Sequence, residues 1–339
     1  MRKRANICAA RFREINGAWK IMYNQVLDSL EHLGYEVAIS DQLKIGSGKY
    51  KKSIIRGLQD ESRQKDLFVY NHTYRQDLID KEIYRSENSL FLKPTGPTPA
   101  HYTIDRLGYG SYLSIAYEKP NFENYDYRDF FDKKVKKWIE NDENKWSDRP
   151  KLRSISSTHN IPDNHILVLG QMTADETVTN FSFGNHWKKL LRIVQEVQKR
   201  KDPIVIKLHP EYYNSLRKSN RASSRGLDDQ IIKWMGAGIT VITDLTSLHD
   251  VLPKTKVAIT ENSTSGIECM LHSVPIISYG YPEYHWITKD LRHVCALNPS
   301  INDMSWFDVE KARSFIAWYC EEYMCYDYDS TVRRLKQLL

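Results

Sequence analysis

No stretch of this chain approaches the ~18 consecutive apolar residues that cross a bilayer, so membrane contact is expected to be peripheral at most. The amino-terminal MRKRANICAARFREING is positively charged, but no apolar run long enough for a secretory leader follows it. Cysteine is sparse: Cys8, Cys269, Cys295, Cys320 and Cys325 are odd in number and scattered, with no CxxC or Cys/His spacing. That excludes a zinc motif and points to reduced thiols in a cytoplasmic setting. Basic runs are short (Arg2 to Arg4, Lys49 to Lys52, Lys133 to Lys137), so the net charge of +6 reads as a general attraction for anions. Nucleic acid is not expected as a partner. Also missing are a GxSxG elbow, an HExxH helix and a metal-binding DxD pair between strands, since Asp126-Tyr127-Arg128-Asp129 falls in a predicted helix. Gly46-Ser47-Gly48-Lys49 lacks the first P-loop glycine and runs into Tyr50 instead of Ser or Thr, so it reads as a turn. There is no internal repeat and no low-complexity tract.

What is present is an ordinary globular composition, 41% hydrophobic and 27% charged over 339 residues, enough for two domains of roughly 150 residues each. Trp19, Met22, Val26 and Leu30 recur at helical spacing in Ala18 to Leu33. Strands are predicted at Glu36 to Ile39, Leu67 to Tyr70 and Ser89 to Leu92, and Tyr125 to Trp146 reads as a surface helix. From Ile166 onward strands and helices alternate regularly through Ser278, which implies a parallel, doubly wound sheet. The fold class expected is therefore α/β, with two Rossmann-like doubly wound domains. The first spans residues 1–150, with Ser147 to Ser157 as linker. The second spans 151–305. Helices over 306–339 end the chain and are expected to pack back on the first domain.

Four constellations sit at predicted strand ends, where such sheets bind ligands. Ile204-Val205-Ile206-Lys207-Leu208-His209-Pro210 delivers Lys207 and His209 to one face of a strand that Pro210 stops. Val257 to Glu268 is a strand, a small-residue turn and a helix start. Free N–H groups there, with the hydroxyls of Ser263, Thr264 and Ser265, would take an anion, Gly266 would let a phosphate approach, and Glu268 would reach ribose hydroxyls. Glu268 could equally serve only to complement the helix dipole. After Leu167-Val168-Leu169, Gln171 can bond a base or sugar, while Asp175 either orients an acceptor or simply caps a helix. In the first domain, Asp105 and Arg106 precede a glycine-punctuated turn (Leu107 to Ser111). Asp105 there is a candidate nucleophile or general base facing the nucleotide site, or a surface partner of Arg106.

Taken in order, residues 95 to 290 resemble the capsule-polysaccharide β-Kdo transferases. Asp105-Arg106-Leu107-Gly108-Tyr109-Gly110 falls where that family has an EDGF-like segment, and Gln171 with Asp175 looks like its Gln-containing motif. Lys207-x-His209-Pro210 resembles its HP motif. Ser263-Thr264-Ser265-Gly266-Ile267-Glu268, with Gly280 to Trp286, is similar to its serine-glycine-glutamate helix and aromatic loop. The resemblance implies a GT-B-like fold, a CMP-activated 3-deoxy-sugar acid (CMP-Kdo) as donor, and a glycan or glycolipid acceptor. Transfer would retain configuration through a covalent sugar adduct on Asp105. His209, Lys207 and Ser263 to Ser265 would hold the phosphate, Arg106, Gln171 and Glu268 would contact the donor, and neither metal nor cofactor would be needed. Two departures, Arg-Leu-Gly-Tyr after Asp105 and Ile-Thr after Trp286, leave a UDP- or GDP-sugar donor open. A UDP-N-acetylhexosamine 2-epimerase-like isomerase and a non-catalytic glycan-binding module are the competing readings.

Overall fold

The computed structural model describes residues 3–8, 17–40, 66–80, 88–145, 159–172, 175–181, 184–209 and 221–339. The Gly46 to Lys49 turn, the Ser147 to Ser157 linker and Pro210 lie outside the described residues. The chain forms two compact units, one of Met1–Glu118, Glu143–Arg149 and Ala317–Leu339, the other of Lys119–Asp142 and Pro150–Ile316. Each is a separate α/β layer structure; besides the boundary expected near residue 150 and the expected return of the carboxyl-terminal helices, Lys119–Asp142 groups with the second unit. The helix Val309–Trp318 contains the return to the first unit.

The first unit is built on five strands, β1 (Lys3–Cys8), β2 (Tyr35–Ser40), β3 (Leu67–Asn71), β4 (Ser89–Pro94) and β5 (Tyr102–Asp105), in the order β2-β1-β3-β4-β5. All neighbours are parallel except β4 and β5. The reading of the sequence contained no strand at β1, whose KRANIC sequence has no β-branched run. It is held there because Ala5 and Ile7 alternate onto the core beside Val69 and Leu92. The helix Gly17–His32 covers this face with Met22, Val26 and Leu30, four residues apart and fully buried. The carboxyl-terminal segment completes the unit. Tyr102 and Cys325 exchange both backbone hydrogen bonds at 2.9 Å, and the helix Tyr328–Leu338 starts on a capping box between Asp327 and Ser330. Its Leu335 enters the same apolar core.

The second unit carries β6 (His165–Leu169), β7 (Ile204–Lys207), β8 (Thr240–Ile242), β9 (Thr255–Thr260), β10 (Ile276–Ser278) and β11 (Lys289–Asp290). Their order is β11-β10-β9-β6-β7-β8, and every pair is parallel. The chain thus winds outward from β6 to β8, returns to the other side of β6, and winds outward again through β9 to β11. The strands are near-continuous apolar runs because helices cover both faces of such a sheet. The helix His186–Val197 shows why: Leu190, Ile193, Val194 and Val197 form one apolar stripe against Ile166, Val168 and Ile206. Both units are Rossmann-like, as the strand and helix spacing predicts. Among the described residues no helix is long and apolar enough to cross a membrane.

Because Leu335 is fully buried in the first unit's core, Leu335→Ala should destabilise that unit by about 2–5 kcal/mol. Denaturant unfolding checks this, and a loss under ~0.5 kcal/mol would mean the last helix is not part of that core.

Candidate functional site

In a parallel sheet the strand order reverses at one place, and the two strands flanking it send their loops to opposite sides, leaving a crevice beyond their carboxyl ends. Here that place lies between β6 and β9. The loops leaving the two strands are tied by a reciprocal pair of hydrogen bonds: Gln171 Nε2 donates to Asn262 Oδ1 at 2.9 Å, and the Asn262 backbone N–H donates to Gln171 Oε1 at 2.8 Å. Asn262 Nδ2 also donates to the Thr177 carbonyl at 2.8 Å. On the opposite side Gly170 lets the β6 loop lie against the end of β7, since a Cβ there would lie 2.9 Å from Leu208 Cδ2.

Beneath these loops lies a charged network that sequence reading missed. The Gln171 backbone N–H donates to His186 Nε2 at 3.1 Å, which leaves the ring proton on Nδ1, hydrogen-bonded to Glu261. Glu261 is wholly buried, and its second oxygen accepts from Lys189 Nζ at 3.1 Å. A carboxylate removed from water in this way persists only when both oxygens are met by donors. The signal for it was an apolar strand running directly into an acid, Thr260-Glu261, with no indication of the distant partners.

On the other side of β6, Lys207 ends β7 and donates to the Asp244 carbonyl at 3.2 Å. Burial pushes its ammonium down to about 8, against the opposing charges of Asp244 and Glu268. Leu208 still pairs with Ile242, so the extended alternation continues and places half-buried His209 on the same side as Lys207. Asp244 was not singled out from the sequence. Burial works against its charge, but hydrogen bonds from Thr246 and the neighbouring His159 hold its carboxyl below the usual range.

The turn after β9 corrects one expectation. Free N–H groups were expected at the start of the helix Ser265–Leu271, but Ser265 N donates to Ser263 Oγ, Gly266 N to Ser263 O and Ile267 N to Thr264 O. The first turn is wound tightly enough to satisfy these N–H groups itself, so of the groups expected to take an anion here the hydroxyls of Ser263, Thr264 and Ser265 are the ones that remain candidates. Gly266 is explained by packing: a Cβ would lie 2.2 Å from the Tyr284 ring, whose hydroxyl bonds the Ser263 carbonyl. Glu268 is buried one turn in and close enough to Lys207 for their charges to interact. Asp175 caps the helix Glu176–Phe181, accepting from Thr177 N at 2.9 Å and Thr177 Oγ1 at 2.6 Å.

In the first unit, Asp105 is wholly buried at the end of β5, which excludes a surface pair with Arg106. Oδ1 accepts from Leu107 N at 2.7 Å and Ser114 N at 3.2 Å, while Oδ2 accepts from Ser114 Oγ at 2.6 Å and Tyr323 OH at 2.5 Å. Arg334 stands 3.6 Å from Oδ2 and 4.2 Å over the Tyr323 ring. Tyr323 and Arg334 come from the carboxyl-terminal helices, and their sequence surroundings hold no motif. Arg106 is exposed and bonds the Leu338 carbonyl.

A family model described as capsule polysaccharide biosynthesis protein matches residues 109–303. Among solved structures, the fold is similar to the β-Kdo 2,4 transferase of KpsC from Thermosulfurimonas dismutans, with a TM-score of 0.57 and 13% identity over 98% of this chain and 95% of that one. It is also similar to the β-Kdo 2,7 transferase of KpsC from the same organism, with a TM-score of 0.53 and 14% identity over 99% of each chain. At that identity the likeness shows a shared two-unit fold. No curated protein matches the sequence.

The depressed Lys207 amine carries a pH signature. An anion placed on it favours the ammonium and raises its pKa again, so binding a phosphate-bearing ligand above about pH 8 should take up a proton. Calorimetry near that pH in buffers of different ionisation heat should show the uptake, and Lys207→Met should abolish it. In the unliganded protein the burial penalty acts fully below about pH 8 and is relieved as pH rises towards the ordinary 10.5, so this residue's contribution to stability increases across that window. A buffer-independent binding heat would place the phosphate away from Lys207.

Proposed function

The chain belongs to the capsule polysaccharide biosynthesis protein family, and from that premise we propose that it is a glycosyltransferase moving a sugar from a nucleotide carrier to a growing capsular glycan. The observation that carries the reading is the Gln171–Asn262 bridge, because it fixes two loops at the strand-order reversal, with Lys207, His209 and three hydroxyls at the ends of the strands beside it. Such a set of groups suits a nucleoside phosphate. The ammonium of Lys207, the imidazole of His209 and the hydroxyls of Ser263, Thr264 and Ser265 donate to the phosphate as negative charge builds on it during departure. Glu268 accepts from ribose hydroxyls, and Gln171 with Asn262 keeps the floor in register. In this scheme the protein's own cations stabilise the leaving group, and neither a metal nor a cofactor takes part.

The donor proposed is a CMP-linked 3-deoxy-sugar acid, in line with the motif order around Lys207-x-His209 and Ser263 to Glu268. Asp105 is the proposed nucleophile. Its carboxylate attacks the anomeric carbon as the bond to the phosphate oxygen breaks, and CMP departs with that electron pair. An acceptor hydroxyl then displaces Asp105 and gives its proton to a base, so two inversions leave the configuration retained. The donors around Asp105 hold it in one orientation, and attack requires one oxygen to exchange them for carbon.

Thermal melts with CMP, UDP and GDP test the donor. CMP should raise the melting temperature, and His209→Ala should remove most of the shift. A shift seen only with UDP or GDP would replace the proposed carrier, and no shift with any nucleotide would remove the transferase reading. Intact mass after incubation with CMP-Kdo should show one added sugar on the parent protein and none on Asp105→Ala. An adduct that survives in Asp105→Ala would assign the nucleophile elsewhere.

A further inference from the structure

The two oxygens of Asp105 are held in different ways. Oδ1 accepts from the backbone N–H groups of Leu107 and Ser114, which cannot turn aside unless the chain moves. Oδ2 accepts from two hydroxyls, Ser114 Oγ at 2.6 Å and Tyr323 OH at 2.5 Å, and a hydroxyl proton rotates about its own C–O bond. The Ser114 N–H is shared, 3.2 Å from each oxygen. Oδ2 is therefore the oxygen whose closest donors can be withdrawn by rotation alone.

Tyr323 is placed for such a turn. Its hydroxyl also lies 3.2 Å from Ser114 Oγ, a second acceptor for the same proton. When Oδ2 enters a covalent bond, the phenol O–H can pass to Ser114 and avoids the cost of a buried donor without a partner. The ring itself is fixed. The Arg334 guanidinium lies 4.2 Å over it, Tyr319 stacks on it at 5.5 Å, and Arg334 Nε donates to the Ile104 carbonyl at 3.1 Å. Burial, with the Asp105 charge beside it, holds the phenol well above its ordinary range, so it remains a donor. Tyr323 also closes a π-helical turn, Tyr319–Tyr323, in which Met324 N reaches back five residues to the Tyr319 carbonyl at 2.9 Å. One extra residue in a turn changes the direction in which its side chains leave the helix, and such insertions are frequent at functional sites.

In the proposed transfer Asp105 is first a nucleophile and then a leaving group. Donors on Oδ2 stabilise the free carboxylate more than the neutral ester, because bonds to a charged acceptor are roughly twice as strong as neutral ones. They therefore hold back the first attack and favour the second step, in which the acceptor oxygen bonds the anomeric carbon and Asp105 leaves with the electron pair. We infer that Tyr323 is a positioning residue acting through Asp105: its hydroxyl turns to Ser114 while the sugar is attached and returns to Oδ2 as the carboxylate departs, which biases the adduct towards release. The inference rests on the proposed role of Asp105 as nucleophile. The two places for the hydroxyl rest on the side chains named.

Reversal of the adduct by CMP tests this. A phosphate oxygen of added CMP attacks the anomeric carbon, and Asp105 leaves with the bonding pair. The whole chain is held with a fixed concentration of CMP-Kdo and no acceptor, CMP is titrated, and intact mass follows the adduct. Tyr323→Phe keeps the ring and loses the hydroxyl, so the CMP concentration that reverses half the adduct should rise about tenfold or more. Difluorotyrosine installed at position 323, whose more acidic phenol is a stronger donor, should lower that concentration below the parent value. Altered packing alone does not move the two variants in opposite directions, and cooperative melts show that each protein is folded. Equal midpoints in all three proteins, or shifts of the same sign in both variants, overturn the inference. Should Tyr323→Phe not fold, the fluorinated protein decides: a lowered midpoint supports the inference and an unlowered one overturns it. No adduct on any of the three overturns the nucleophile role of Asp105 and this inference with it. An adduct whose reversal is indifferent to Tyr323 leaves the nucleophile standing and faults this inference alone.

Discussion

The hydrogen bonds between Gln171 and Asn262 hold together the one place where the second unit's sheet changes its direction of winding. Loops on either side of such a reversal diverge, and without a tie the crevice between them has no defined width. Each partner is both donor and acceptor, so loss of either would leave a buried amide unpaired, which costs more than the bond itself contributes. The Glu261, His186 and Lys189 network sits directly below and passes the constraint to the helix His186–Val197.

Asp105 in the first unit and Glu261 in the second are both wholly buried, and these two carboxylates are handled alike. Glu261 and Asp105 both have each oxygen occupied, and in each case a donor comes from far along the chain. For Asp105 the distant donor is Tyr323, more than two hundred residues away, so the carboxyl-terminal helices are part of the environment of that carboxylate. Charge-assisted bonds of this kind contribute about 1.5–3 kcal/mol each. They orient the group, and any chemistry at Asp105 has to work against them.

The regular half of the fold was legible because its signals are local. β-branched runs such as Ile204-Val205-Ile206 and the stripe Leu190, Ile193, Val194 and Val197 declare strand and helix from spacing alone. β1 was not, because two apolar side chains in KRANIC suffice once neighbouring strands supply the rest of the core. The grouping of residues 119–142 with the second unit was equally hidden, whereas the carboxyl-terminal helices were expected to pack back on the first. Nothing in composition distinguishes a surface helix of one unit from that of the other.

For the site, sequence alone identified the strand ends and the residue types standing at them: Lys207 and His209 after β7, Gln171 after β6, the hydroxyl turn and Glu268 after β9. Alternation and chain order suffice for that, since they depend on neighbours within a few residues. Tertiary structure alone decided that Asn262 faces Gln171, that Gly266 answers to the Tyr284 ring, that the helix start satisfies its own N–H groups, and that Tyr323 and Arg334 enclose Asp105. Hydrogen-bond partners and steric limits are properties of positions in space. Residues that meet across a sheet or from opposite ends of the chain leave no periodic trace in the order of the amino acids.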